Sequence, residues 1–274
     1  MLLRKISLAA VIIVAFCAAV FAQTETESKE TPKETPKESA PKVELSKEET
    51  EGVQIAESSI IVYSLGRGRQ GLEQIRKTAV EIGKIEFTDD EGKARKADYV
   101  RRIIRGDSFG EEKIRLDQKF PDADYAMIWD GGKIFGVISN TVFTPREDAE
   151  RAFRNQLVHG IPALLRYKEN GATVKLLRSD KIMGVDYFVL ELTGKEGSST
   201  TYYISKKTYR VMMLEYEDQG VKYRRKFYNY NYAQGTLVPY RTVLWADGRQ
   251  VEESTIATIT FGQSVEDSLF AFNS

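Results

Sequence analysis

Few side chains in this chain could do chemistry, and they are scattered. His159 is the only histidine among 274 residues, and Cys17 is the only cysteine. One histidine cannot build a two-histidine metal site or a His-Glu-x-x-His metalloprotease helix. It could serve as general base beside a serine, but no nucleophile elbow, a serine on a tight strand-to-helix turn, is expected. Next to Gly160 on an amphipathic stretch, His159 reads as a helix-boundary residue. Gly66-Arg-Gly-Arg-Gln-Gly71 has the glycine spacing that seats a pyrophosphate on a helix N-terminus, and Asp89 follows where a ribose would want an acid. That chemistry needs a parallel strand-helix-strand unit. A meander follows instead, so the segment reads as a turn between helices, and no cofactor is expected. Carboxylates are plentiful, yet no spacing isolates an acid/base pair; Glu147 and Asp148 suit a helix N-terminus. Lys222-Tyr-Arg-Arg-Lys-Phe-Tyr-Asn-Tyr-Asn-Tyr232 interleaves bases and aromatics, as RNA-stacking sheets do. It fits better as a strand with a tyrosine face at Tyr228, Tyr230 and Tyr232. The expectation is a protein that is not an enzyme, holds no metal and binds no nucleic acid.

The N-terminus points to a compartment. Met1-Leu-Leu-Arg-Lys5 is basic, Ile6 to Val20 is uncharged and apolar, and Val20-Phe21-Ala22 offers a cleavage site. Residues 1–22 read as a secretory signal peptide, which predicts a periplasmic protein. The alternative is a membrane-anchored chain with an uncleaved or lipidated N-terminus. Phe16 is not the small residue that lipidation at Cys17 would need before it. Cleavage after Ala22 removes Arg4 and Lys5 and no acid, leaving 38 basic against 40 acidic residues, no footprint for nucleic acid. The mature chain has no cysteine and so no disulfide framework. Residues 23–51, built on repeats such as Lys29-Glu-Thr-Pro32 and Lys33-Glu-Thr-Pro36, have little to bury and read as a disordered linker. Residues 52–274 then form one domain, expected as a monomer.

The elements of that domain follow from periodicity. Ser46-Lys-Glu-Glu49 fits a capping box, Val53 to Leu65 repeats at helical spacing, and a short helix is predicted from Gln70 to Thr78. From Ala79 the period falls to two. Strands are expected around Ile85–Phe87, at Ala97–Arg105, Glu112–Phe120, Tyr125–Trp129 and Lys133–Ile138, the last pair joined by Asp130-Gly131-Gly132. Thr144-Pro145-Arg-Glu147 predicts a capped helix, with an apolar stripe at Ala149, Ala152, Phe153, Leu157, Ile161, Leu164 and Leu165 and a kink or a break at Gly160 and Pro162. More strands follow, including Val185–Thr193, Thr201–Tyr209, Pro239–Trp245 and Val265–Phe270. Some ten or eleven antiparallel strands in all would curl. The fold class is α+β, mainly β: a curled antiparallel sheet forming an incomplete β-barrel, with helices covering the concave side.

The order of these pieces resembles the LolA/LolB-like periplasmic lipoprotein-sorting superfamily. The resemblance covers roughly residues 68–272. It rests on a Gly-Leu-x-x-Ile helix at Gly71–Ile75, the Asp130-Gly131 turn, the capped helix, Gly184-Val-Asp-Tyr, Tyr202-Tyr-Ile204, the strand led by Pro239 and a terminal Asp267-Ser-Leu-Phe270. It implies a half-closed barrel that takes up lipid acyl chains without catalysis, for carriage or sorting toward the outer membrane. The expected partners are a lipid or acylated lipoprotein and an inner- or outer-membrane sorting protein. It implies a gating role for Arg105, where Gly106 stands in place of the family's proline. Alternation and the helix stripe propose a cavity lined by Phe87, Trp129, Phe135, Phe153, Leu157, Leu164, Phe188, Leu190, Tyr202, Ile204, Met212, Leu214 and Trp245, with Arg105 beside them. The alternative function is an interaction or sensor module on the same fold, binding a protein partner.

Overall fold

A computed structural model describes residues 45–88 and 91–271. The expected signal peptide and residues 23–44 of the expected linker lie outside the described residues. The last linker positions do not belong to a linker. Ser46 caps helix α1, Lys47–Tyr63: its hydroxyl accepts from the Glu49 N–H while the Glu49 carboxylate accepts from its own. The capping box therefore starts the helix at Lys47, ahead of the apolar run. Gly66 and Gly68, both at positive φ, then turn the chain into α2, Gly68–Ile75. Among the described residues no strand precedes or follows in the parallel arrangement that a dinucleotide would need. Helix α2 stops before Thr78, which opens a strand instead.

Two meanders make one sheet. The first runs through β1 (Thr78–Thr88), β2 (Ala94–Ile104), β3 (Lys113–Lys119), β4 (Asp124–Asp130), β5 (Lys133–Ile138) and a short β6 (Thr141–Phe143). The second runs through β7 (Thr173–Ile182), β8 (Val185–Thr193), β9 (Ser199–Ser205), β10 (Val211–Asp218), β11 (Val221–Ala233), β12 (Thr236–Ala246) and β13 (Arg249–Phe261). β13 pairs back onto β1, giving the order β6-β5-β4-β3-β2-β1-β13-β12-β11-β10-β9-β8-β7. The thirteen strands exceed the expected ten or eleven. They are antiparallel and curled, and the sheet does not close: β6 and β7 are its two edges. Val265–Phe270 is not a strand. Asp267–Leu269 is a 3-10 turn that seats the fully buried Phe270 against Ala126, Ile128 and Val137 on the outer face.

The connection from β6 to β7 carries the chain from one edge to the other over the concave face. It holds α3, Glu147–Val158, and α4, Ile161–Leu165. The expected single helix is broken, because Gly160 is extended and Pro162 lacks the amide that would continue α3. Helix α3 also begins later than expected. Arg146, not Thr144, is its N-cap, without a side-chain cap bond; Asp148 instead accepts from the Ala149 N–H.

Helices α1, α2 and α4 bury Ile60, Tyr63, Leu72 and Leu164 against Leu190, Tyr202, Ile204 and Leu214 of the second meander. Helix α3 sets Phe153 against Ile114, Leu116, Met127 and Trp129 of the first. The Tyr63 hydroxyl ties α1 to the sheet, meeting the Tyr230 hydroxyl at 3.0 Å and accepting from the Val211 N–H.

Candidate functional site

The concave face is only partly filled by side chains. Between it and the α3–α4 crossing lies a cavity of about 180 Å³, walled by Ile103, Phe227, Tyr240, Ile256 and Ile259 from the sheet and by Leu157 and Ile161 from the helices. A second, of about 330 Å³, adjoins it on the β8–β9 side and includes Trp129, Val158, Ala163, Ala172 and Leu192. Arg105, Phe109, Glu112, Leu157 and Pro162 line both. These residues form the partition between two chambers.

Charge organises that partition. Glu112 is 1 % exposed. Its carboxylate accepts from Arg105 on one oxygen and from Arg166 on the other. Arg166 also donates to the Gly106 carbonyl at 2.6 Å. One carboxylate thus joins the end of β2, the segment before β3 and the end of α4. The fold explains the glycine after Arg105: a Cβ at Gly106 would stand 2.4 Å from the Cβ of Glu111. A buried triad of this kind depends on all its members, since removing one strands a charge.

The inward-facing positions carry further charge that the expected apolar lining did not include. Glu81 accepts from the Tyr99 hydroxyl at 2.7 Å and from Arg101 at 3.0 Å. Glu252 accepts from Gln156 of α3 at 3.0 Å, and its other oxygen lies 3.9 Å from Arg225. Arg76 donates to Thr236 Oγ1 and the Leu237 carbonyl and lies over the Phe261 ring. Burial, and then repulsion from Arg105, pull its pKa down to about 10. The sequence signal for this row was present: Glu81, Arg101, Arg225 and Glu252 each stand at the inward parity of an alternating strand.

The residues singled out from sequence separate into four groups. Arg105 and Leu157 line both chambers, and Trp129 lines the larger one, where its indole N–H has no hydrogen-bond partner. Phe153 packs in the cluster that holds Trp129, and Phe87 stacks on Phe120 at 6.2 Å; neither lines a chamber. Leu164, Leu190, Tyr202, Ile204 and Leu214, with Phe188 against them, are closed core beneath α1 and α4; Tyr202 donates to the Gly160 carbonyl. Phe135, Met212 and Trp245 are not inward at all. Phe135 pairs with Ile128 and joins Phe270 on the outer face. Met212 falls at a bulge in β10, which leaves Val211 and Leu214 inward and packs Met212 with Met213 and Tyr203 outside. Trp245 lies opposite Arg224 in an open groove, with the Lys226 ammonium over its ring.

The chemically suggestive residues take structural places. His159 caps the end of α3 and is 5 % exposed, stacked on Tyr216 at 4.0 Å and bonded through Nδ1 to Thr200 at 2.7 Å. Burial, and then Arg225, lower its pKa to about 4 against the pull of Asp218. The expected tyrosine face is not one face. Asn229, at positive φ, drops out of the pairing with β12. Tyr230 reaches in to Tyr63, Tyr228 lies under Arg241, and Tyr232 is exposed. Among the described residues no three His, Cys, Asp or Glu side chains cluster as a metal would require, and no helix is long and apolar enough to cross a membrane.

No protein-family model matches the chain, and no curated protein matches it. Solved structures do. A DUF1329 family protein from Desulfovibrio piger aligns with a TM-score of 0.60 at 13% identity, over 82% of this chain and 98% of that one. A LolA superfamily protein from Nitrosomonas europaea aligns at 0.55 and 14% identity, over 80% and 97%. A domain described as outer membrane lipoprotein-sorting, from Vibrio parahaemolyticus, aligns at 0.52 and 14% identity, over 81% and 97%. At these identities the likeness is one of architecture, and it agrees with the curled, unclosed sheet and its crossing helices: the chain has the LolA-like fold.

Proposed function

We propose that this protein is an exported, non-enzymatic binder of acyl chains, holding a lipid or the anchor of an acylated protein between the concave face and the α3–α4 crossing. The observation that carries the reading is the pair of adjoining chambers, of about 180 and about 330 Å³, that side chains leave unfilled. A curled sheet fills its interior with its own residues or with a guest. The larger chamber falls within the usual range of about 300–1,000 Å³ for ligand pockets. Acyl burial needs no catalytic group, since each methylene is worth about 0.8 kcal/mol. The lipoprotein-sorting description of a structural neighbour supports carriage or sorting toward the outer membrane, with a membrane sorting protein as partner.

Delipidated protein titrated with fatty acids of increasing length tests it. Trp129 lines the larger chamber and Trp245 lies outside, so Trp245→Phe leaves a single reporter. Its fluorescence should change with saturation, and affinity should rise about fourfold per methylene until the chambers fill. A flat response across lengths, with no lipid recovered from the purified protein by mass spectrometry, refutes the carrier. One observation favours the interaction module: the β7–β8 hairpin exposes Met183 fully, with Leu177 and Val185 partly exposed nearby. Such a tip suits contact with a protein.

A further inference from the structure

The smaller chamber contains a cation whose donors go unused. Arg225 projects inward from β11 and is 8 % exposed. Its Nε and Nη2 are both hidden from solvent, and neither has a hydrogen-bond partner. The nearest carboxylate, Glu252, is 3.9 Å from Nη2, beyond hydrogen-bonding range, and is held on its other oxygen by Gln156. Glu81, also on this wall, is committed to Tyr99 and Arg101. Arg76, toward the other end, spends its donors on Thr236 and Leu237. Arg225 alone of these guanidiniums has its fork both buried and unanswered.

Charge balance points the same way. Arg76, Arg101, Arg105 and Arg225 line the chamber against Glu81, Glu112 and Glu252. Glu112 is further shared with Arg166, which stands just behind the wall. The chamber is therefore short of negative charge. Buried guanidinium donors left unmade are costly, and a carboxylate or phosphate oxygen answers them with the strongest hydrogen bonds available to a protein. Elsewhere the wall has Ile103, Phe227, Ile256 and Ile259, with Thr242 and Ser254 hydrogen-bonded to each other.

We propose that Arg225 anchors the acidic head of a single-chain anionic amphiphile, a carboxylate or a phosphate monoester, with its alkyl chain along the apolar residues of the smaller chamber. This rests on the acyl-binding reading and narrows it: an uncharged diacylglycerol anchor would leave Arg225 unanswered. A chain too long for about 180 Å³ continues past Leu157 and Phe109 into the larger chamber, which shares those residues. The chemistry also admits a free phosphate ion, so the test separates the two.

Delipidated full-length protein is titrated calorimetrically with decanoate, decyl phosphate, decanol and inorganic phosphate, and the series is repeated on Arg225→Met. The wild type should bind decanoate and decyl phosphate at least about tenfold more tightly than decanol, the worth of one hydrogen bond to a charged group. Arg225→Met should retain its decanol affinity and lose the preference. Equal binding of decanoate and decanol by the wild type overturns the Arg225 assignment while leaving acyl binding intact; that comparison needs no variant, so it stands even if Arg225→Met does not fold. Failure of all three decyl compounds to bind overturns the acyl-binding reading itself. Inorganic phosphate bound as tightly as decyl phosphate shows a site for a free anion and overturns the amphiphile.

Discussion

Acid should destabilise this protein through a single histidine, in a window where few carboxylates titrate. His159 is buried against Tyr216 and Thr200, and its pKa lies at about 4 rather than near 6.5. The folded state thus holds the proton less readily than the unfolded chain. The histidine's contribution to stability is fully present above about pH 6.5, is lost as pH drops from 6.5 toward 4, and changes no further below. At pH 5.0 the two values give a loss of about 2 kcal/mol, and at pH 7.5 almost none. Arg225 and Asp218 are the charges that act on the ring, with opposite signs. The assay is urea unfolding at pH 7.5 and 5.0 for the wild type and His159→Asn, whose amide does not titrate. The variant loses the stack on Tyr216 at both pH values, so its absolute stability is lower throughout. The informative quantity is the change between pH values, which should be about 2 kcal/mol smaller in the variant. Because the chain has one histidine, its imidazole proton resonance can also be followed alone by NMR. A midpoint near 6.5, or equal pH slopes in the two proteins, would refute the buried, neutral imidazole.

Glu112→Ala should cost about 3–5 kcal/mol, because it leaves Arg105 and Arg166 buried without their shared carboxylate; a urea midpoint within error of the wild type would show the triad to be solvated. Leu164→Ala should cost about 2–5 kcal/mol by opening a cavity in closed core. Fatty-acid affinity per folded molecule should not change in that variant, since Leu164 lines neither chamber; a loss of affinity at unchanged stability would mean that the helix face contacts the guest.

What the sequence made legible was whatever depends on period and on local caps. Alternation located nearly all the strands, Ser46 and Glu49 marked the start of α1, and Gly160 with Pro162 marked the break after α3. The assignment of side chains to faces was less legible, and the reasons are specific. A bulge between Val211 and Met213 takes Met212 out of the inward set, and nothing in the local residue types announces it. Alternation puts Trp245 and Phe135 on one side of their strands without saying which side is concave, and the fold turns Leu244 and Ile134 inward instead. Apolar residues do not choose the face on a sheet whose outer side also has cores, one under Phe270 and one around Tyr203 and Met213. The chambers themselves were illegible, because emptiness depends on how far α3 stands from the sheet. The buried charges could have been read: an arginine or glutamate at an inward position must find a partner or a guest.

The two helices of the crossing differ in how firmly they are seated, and this bears on where a guest could enter. The β6–β7 connection must span the open mouth whatever it covers, because the meanders end on opposite edges of the sheet. Four of the five residues of α4 are buried, with Leu164 fully so, and Arg166 at its end is fixed to Glu112 and the Gly106 carbonyl. Of the twelve residues of α3, only Phe153 is buried, although Leu157 faces both chambers. Displacing α4 would open a closed core and strand a buried carboxylate, whereas displacing α3 would uncover one phenyl ring and release Gln156 from Glu252, Asn155 and Arg151 from Asp218, and Arg154 from the Trp129 ring. Gly160, extended between the two helices, has its carbonyl held by the Tyr202 hydroxyl. For a guest of the proposed kind, shifting α3 disturbs less buried surface than shifting α4 and the triad.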